Sequence, residues 1–94
     1  MLSGNLSADG DIEFYVTGKV NMIFSGTWGG GEVTLYAHDR TKYLPIPGDT
    51  AMTDDSSGDS FMDFGDETVR VKAELSGSTS PDLDYLIMGE VRQL

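Results

Sequence analysis

Ile12-Glu13-Phe14-Tyr15-Val16-Thr17-Gly18-Lys19-Val20-Asn21-Met22-Ile23-Phe24 is the stretch that decides the fold. Its even positions are Ile12, Phe14, Val16, Gly18, Val20, Met22 and Phe24, and all but the glycine are apolar. Alternation of period two marks a strand with one buried face. A straight strand of that length would run about 40 Å, too far for a chain this small. The segment is therefore expected to fold at Gly18. A three-residue loop, Thr17-Gly18-Lys19, sets Val16 against Val20, Phe14 against Met22 and Ile12 against Phe24. Every cross-strand pair then stays on one face. A two-residue loop would pair Phe14 with Asn21 and break the agreement. The three-residue hairpin is the expectation, and a long strand bent at Gly18 is the alternative.

Working outward, Ser25-Gly26-Thr27-Trp28-Gly29-Gly30-Gly31 breaks the pattern, and Val33, Leu35 and Ala37 resume it against Thr34, Tyr36 and His38. His38-Asp39-Arg40-Thr41-Lys42 is a polar turn. Tyr43-Leu44-Pro45-Ile46-Pro47-Gly48 follows, and two prolines confine it to an edge strand or extended loop. Ser60-Phe61-Met62-Asp63-Phe64 reads as a short strand between loops. Thr68 to Leu75 is the clearest strand, with Val69, Val71, Ala73 and Leu75 inward and Arg70, Lys72 and Glu74 in water. Leu83 to Arg92 is the last. It carries Leu83, Tyr85, Ile87 and Val91 on one face and Leu86 and Met88 on the other. A strand apolar on both faces is central or lies at an interface. No segment has helical spacing. The expectation is all-β: one antiparallel β-sandwich domain, jelly-roll or Ig-like, over residues 1–94, with seven or eight short strands, no significant helix and residues 1–8 as an N-terminal arm.

Composition narrows function. The 94 residues hold 6 basic and 16 acidic side chains, a formal charge of −10, with no cysteine. Nucleic-acid binding needs a basic face to neutralise phosphates, and anionic membranes make the same demand. Neither partner is expected. Without cysteine there is no disulfide framework, thiol catalysis or thiolate-held metal, which fits an intracellular origin. The start Met1-Leu2-Ser3-Gly4-Asn5 has no basic region or apolar core, so Sec export is not expected. Apolar residues make up 38% of the chain. That lean core suits a domain supported by a partner or by self-association.

Candidate chemistry is sparse. His38 is the only histidine, and Asp39 beside it points the other way on a strand, so a solvated turn histidine outranks a catalytic one. No serine lies in a nucleophile-elbow pattern. Asp9-Gly10-Asp11-Ile12-Glu13 and Asp54-Asp55-Ser56-Ser57-Gly58-Asp59 are oxygen-rich but do not fit the Ca²⁺ loop, since Thr53 and Ser57 replace ligand carboxylates. Solvated acidic turns are the expectation. The glycine run at 29–31 leads into a strand and Glu32 rather than a helix, which argues against phosphate binding and for close backbone approach. Trp28 either plugs the end of the core or anchors an interface. Tyr15, Tyr36 and Tyr43 fall off the inward face, where protein contact outranks sugar binding. Seven acids, Asp49, Asp54, Asp55, Asp59, Asp63, Asp66 and Glu67, and no base occupy residues 49–67. They predict one acidic edge facing solvent or a basic patch of a partner.

Two passages carry a resemblance. Gly26-Thr27-Trp28-Gly29-Gly30-Gly31-Glu32-Val33-Thr34-Leu35-Tyr36 is similar to G-T-W-x-G-x-x-V-T-L segments of small β-sandwich structural proteins of tailed-bacteriophage virions. Val69 to Ser80 resembles their late strand and S-G-x-T-S turn. The family's S-x-D-G-G-T-x-W turn is replaced here by Ala37 to Tyr43, with Tyr43 where the Trp would stand. The resemblance implies a capsid decoration (cement) protein, made in the host cytoplasm and placed on the virion's capsid surface. Such a protein has no enzymatic activity and no cofactor or metal. It binds the assembled major capsid lattice and associates with itself, commonly as a trimer. The contact residues expected on that reading are Trp28, Tyr36, Tyr43, Leu86 and Met88, with Leu2 and Leu6 from the arm. The alternative is a carbohydrate- or receptor-binding module of a phage tail or fibre.

Overall fold

The alternation of the deciding stretch runs through Gly18 without reversing the chain. In the computed structural model, which describes residues 1–46 and 51–94, Gly10–Thr27 is a single strand of 18 residues. Pro47, Gly48, Asp49 and Thr50 lie outside the described residues. The strands are β1 (Leu2–Leu6), β2 (Gly10–Thr27), β3 (Glu32–His38), β4 (Tyr43–Pro45), β5 (Ala51–Met52), β6 (Asp59–Ser76) and β7 (Asp82–Gln93). They form one antiparallel sheet in the order β1-β7-β2-β6-β3-β4, with β5 beside β3.

The hairpin expected at Thr17-Gly18-Lys19 is thus replaced by its alternative. Val16 pairs with Val69 and Val91, and Val20 pairs with Met62 and Gly89; the two valines do not pair with each other. Both arrangements bury the same even residues, so alternation alone could not separate them. What separates them is the supply of neighbours. β6 is also 18 residues long and lies along both halves of β2, where a hairpin would have needed no such partner. The segments 60–64 and 68–75, expected as separate short strands, are therefore one element.

The bend resolves the length problem. Eighteen extended residues would span about 60 Å, yet the longest dimension of the molecule is 37 Å. Gly18 (φ 72°) and Gly65 (φ 64°) take left-handed backbone at the corner, where glycine carries no Cβ penalty. The register of β2 shifts there against both β6 and β7. Strands that pass from one layer to the other through a bulge make the corners of a sandwich. One layer holds the first half of β2, the second half of β6, β3, β4 and β5. The other holds the second half of β2, the first half of β6, β1 and β7 as far as Gly89; the end of β7, from Glu90 to Gln93, pairs with the first half of β2 in the first layer.

Between them lies the core. Phe14, Val16, Val20, Met22 and Phe24 of β2 are fully buried with Val33, Leu35, Val71, Ala73, Leu75, Leu83 and Ile87. Met52 of β5, a strand not expected from the sequence, is buried with them. Residues 1–8 do not form a free arm: Leu2–Leu6 pairs with β7, and Leu2 and Leu6 pack against the core.

Candidate functional site

Trp28 is the first of the expected contact residues to be reassigned. It is 7% exposed and belongs to the core. Its Nε1–H donates to Asp55 Oδ1 at 2.7 Å, and the same oxygen accepts the Gly26 N–H at 3.0 Å. Gly58 closes this end of the sandwich. Its carbonyl accepts the Phe24 N–H at 2.6 Å, and a Cβ at Gly58 would strike the Phe24 carbonyl. Trp28 is therefore the core plug, and no surface anchor is left at that position. The glycine run behind it makes the expected close approach. The Thr79 N–H donates to the Gly29 carbonyl at 2.9 Å, and a Cβ at Gly29 would meet the backbone of Thr79.

Two outer faces remain, one per layer. On the first layer, odd positions of β2 and even positions of β6 and β3 point outward. Lys72 Nζ sits 4.7 Å from the Tyr36 ring centroid and 4.8 Å from that of Tyr43. Arg70 lies 5.5 Å from the Tyr43 ring and Arg92 5.2 Å from the Tyr15 ring. Arg70 Nε donates to the Tyr43 hydroxyl at 2.7 Å, and Arg70 Nη2 stands 3.4 Å from Glu13 Oε1. The Tyr43 hydroxyl donates in turn to Glu13, and that bond with the Arg70 charge holds the Glu13 carboxyl below the usual range. Burial and the Glu13 carboxylate push the Tyr43 hydroxyl up. Tyr36 and Tyr43 are thus brought together, with cations over their rings.

His38 closes this face. Its Nδ1 accepts the Arg40 N–H at 3.0 Å, which leaves the proton on Nε2, and its ring meets Tyr43 edge-on at 4.9 Å. Arg40 has a φ of 82°, held by Asp39 Oδ1 accepting the N–H groups of Thr41 and Lys42 at 2.9 and 2.8 Å. Asp39 is consumed in that turn and does not face His38 as an acid–base partner. A shallow groove of about 410 Å³ runs between Tyr15, His38, Arg40 and the stretch Glu67 to Arg70.

The second layer is different in character. The pairing sets Ile23 opposite Leu86, and Asn21 between Phe61 and Met88. All these side chains point away from the core, since their neighbours Val20, Met22 and Ile87 are buried inside. Phe61 is 67% exposed. Leu86 and Met88, two of the expected contacts, therefore lie in one apolar row with Phe61 and Ile23. Sequence reading placed Phe61 on a short strand but drew no exposure from it. Asp59, Asp63, Asp82 and Asp84 flank the row, and Asn5 Nδ2 donates to both Asp82 and Asp84, at 2.7 and 2.9 Å. Lys19, in register with Asp63, is the single base among the strands of this layer.

The oxygen-rich turns have local roles. Asp9 accepts the N–H groups of Gly77 and Ser78 and the Ser78 hydroxyl, which keeps its carboxyl below the usual range. Asp54 accepts the Ser56 hydroxyl and the Ser57 N–H, with the same result. Among the described residues no three acids or histidines gather to hold a metal ion. Asp49, the first of the seven acids, lies outside the described residues. Set against known proteins, the chain matches no family, no curated protein and no solved structure.

Proposed function

We propose that the chain is a non-catalytic structural protein that binds an assembled protein lattice, of the phage capsid-decoration type, and stabilises it from the virion surface. The observation that carries this reading is the outer face of the second layer. There an exposed phenylalanine stands in one row with a half-buried isoleucine, leucine and methionine, inside a frame of aspartates. An apolar centre with a polar rim is the anatomy of a protein contact. A ligand that binds only the assembled state stabilises that state by mass action, and many copies acting together need little affinity each. The virion setting and the trimer rest on the sequence resemblance. The test is co-sedimentation with empty, expanded shells of a major capsid protein from the same virion, with the free protein's mass measured by light scattering. Saturable binding that Phe61→Asp abolishes is expected. Failure of the wild type to sediment with shells overturns the reading.

The second reading, a carbohydrate- or receptor-binding module, draws on the groove beside Tyr15, His38 and Arg40. Cations already cover the tyrosine faces that a sugar would stack on. Because Trp28 is in the core, Tyr15→Ala is the informative variant for a glycan array.

A further inference from the structure

The first half of β6 is a sheet edge. β3 pairs with β6 only from Val71 to Ser76, and among the described residues no strand lies beside Asp59–Asp63 on the side away from β2. The Phe24 N–H donates to the Gly58 carbonyl, directly opposite in the register that pairs Ile23 with Asp59, so this position is of the hydrogen-bonded kind. Antiparallel pairs alternate between hydrogen-bonded and non-hydrogen-bonded. Ser60 and Met62 therefore turn their N–H and C=O toward Met22 and Val20, and Asp59, Phe61 and Asp63 turn theirs outward to the open edge. The same three residues project the side chains described above, two carboxylates around an exposed phenyl ring. Asp66 and Glu67 follow at the corner, and no Lys or Arg occurs between Lys42 and Arg70.

We propose that this edge is a strand-addition site for an extended, Lys/Arg-bearing segment of a partner protein. Main-chain hydrogen bonds to Asp59, Phe61 and Asp63 would supply its affinity. Apolar residues of the segment meet Phe61, and its bases meet Asp59 and Asp63. The carboxylates also disfavour pairing of the edge with a second copy of itself: like charges placed directly opposite repel. The inference rests on reading this layer as a contact surface, and it specifies the chemistry of what is contacted.

The experiment uses the full chain, isotope-labelled, and a twelve-residue probe peptide alternating Val and Lys. A Val/Glu peptide and a Val/Lys peptide interrupted by prolines serve as controls. Binding of the first peptide alone, with amide exchange slowed at Asp59, Phe61 and Asp63, is expected. Asp63→Lys should weaken it, and Phe61→Ala should weaken it through the lost ring. Phe61→Pro leaves the β2 ladder intact but removes one outward N–H. It should bind about fivefold more weakly than Phe61→Ala, the value of one backbone hydrogen bond. Equal affinities of Phe61→Pro and Phe61→Ala, or protection at the β1 edge in place of β6, overturn the proposal. So does shell binding by the wild type that Asp63→Lys and Phe61→Pro leave unchanged. Peptide binding at the edge without any shell binding supports strand addition and removes the capsid reading.

Discussion

Asn21 sits at a point where the two sides of β2 make different demands. Its backbone belongs to a central strand, its side chain lies on the outer face, and its Oδ1 is buried without a hydrogen-bond partner. A covered acceptor with nothing to accept forfeits its hydration and gains nothing back. Phe61 and Met88 flank it in register, so an apolar side chain would complete the row. Asn21→Val removes the unpaired oxygen and suits a strand. The expected outcome is a gain of about 1 kcal/mol, seen as a melting temperature raised by several degrees. The opposite logic governs Trp28, where Asp55 satisfies the only polar atom of the ring. Trp28 was ambiguous in the sequence, because an indole at the end of an apolar run fits either side of a strand until its hydrogen-bond partner is known. For Trp28 that partner lies 27 positions further along the chain.

The corner at Gly18 shows what a single element's pattern can and cannot determine. Period two identified which residues of β2, β3, β6 and β7 face inward, because burial of one face leaves a direct imprint on composition. It did not identify which strands are neighbours. A hairpin and a bent strand share one inward set, and only β6 lying along both halves of β2 distinguishes them. β5 escaped notice for another reason: two residues are too few to show a period. The proposed contact face was legible in part. Leu86 and Met88 stood out as apolar residues on the wrong side of β7, but Phe61 joins them through a register that local sequence does not encode. The bent strand makes a firm demand on its hinge. A β-branched residue at Gly18 would have to hold a left-handed φ of 72°, which costs an L-residue about 1–2 kcal/mol. Gly18→Val should lower stability by at least that amount in chemical denaturation. Were the segment a hairpin with a tolerant loop, the loss would be smaller and β6 amides near Asp63 would exchange unchanged.

Charge acts at the scale of the whole molecule, and its effects separate by sign. Four carboxylates are held below their usual range in the folded chain, chiefly by the Ser78 hydroxyl at Asp9, the Tyr43 hydroxyl at Glu13, the Lys42 N–H at Asp39 and the Ser56 hydroxyl at Asp54. A group with a depressed folded pKa contributes stability above its unfolded value, about 4, and loses it as pH falls through the folded value. Repulsion within a chain of charge −10 works the other way and eases as falling pH shrinks the net negative charge. Melting temperature should therefore rise slightly from pH 7 toward about 5 and fall below about 4, a profile calorimetry would record. Asp9→Asn should flatten part of the fall. Salt isolates the repulsive component without touching protonation. At neutral pH, raising ionic strength shortens the screening length from about 10 Å at 0.1 M and relieves the self-repulsion. The isolated chain should become more stable as salt is added. Association through the acidic edge at Asp59 and Asp63 depends on attraction to a base across a solvent-exposed rim, so it should weaken and slow over the same range. The two slopes have opposite sign only if the acids meet a basic partner. Partner affinity that holds constant while the melting temperature climbs would make the carboxylates a guard against self-pairing alone, with the contact carried by Phe61 and its apolar neighbours.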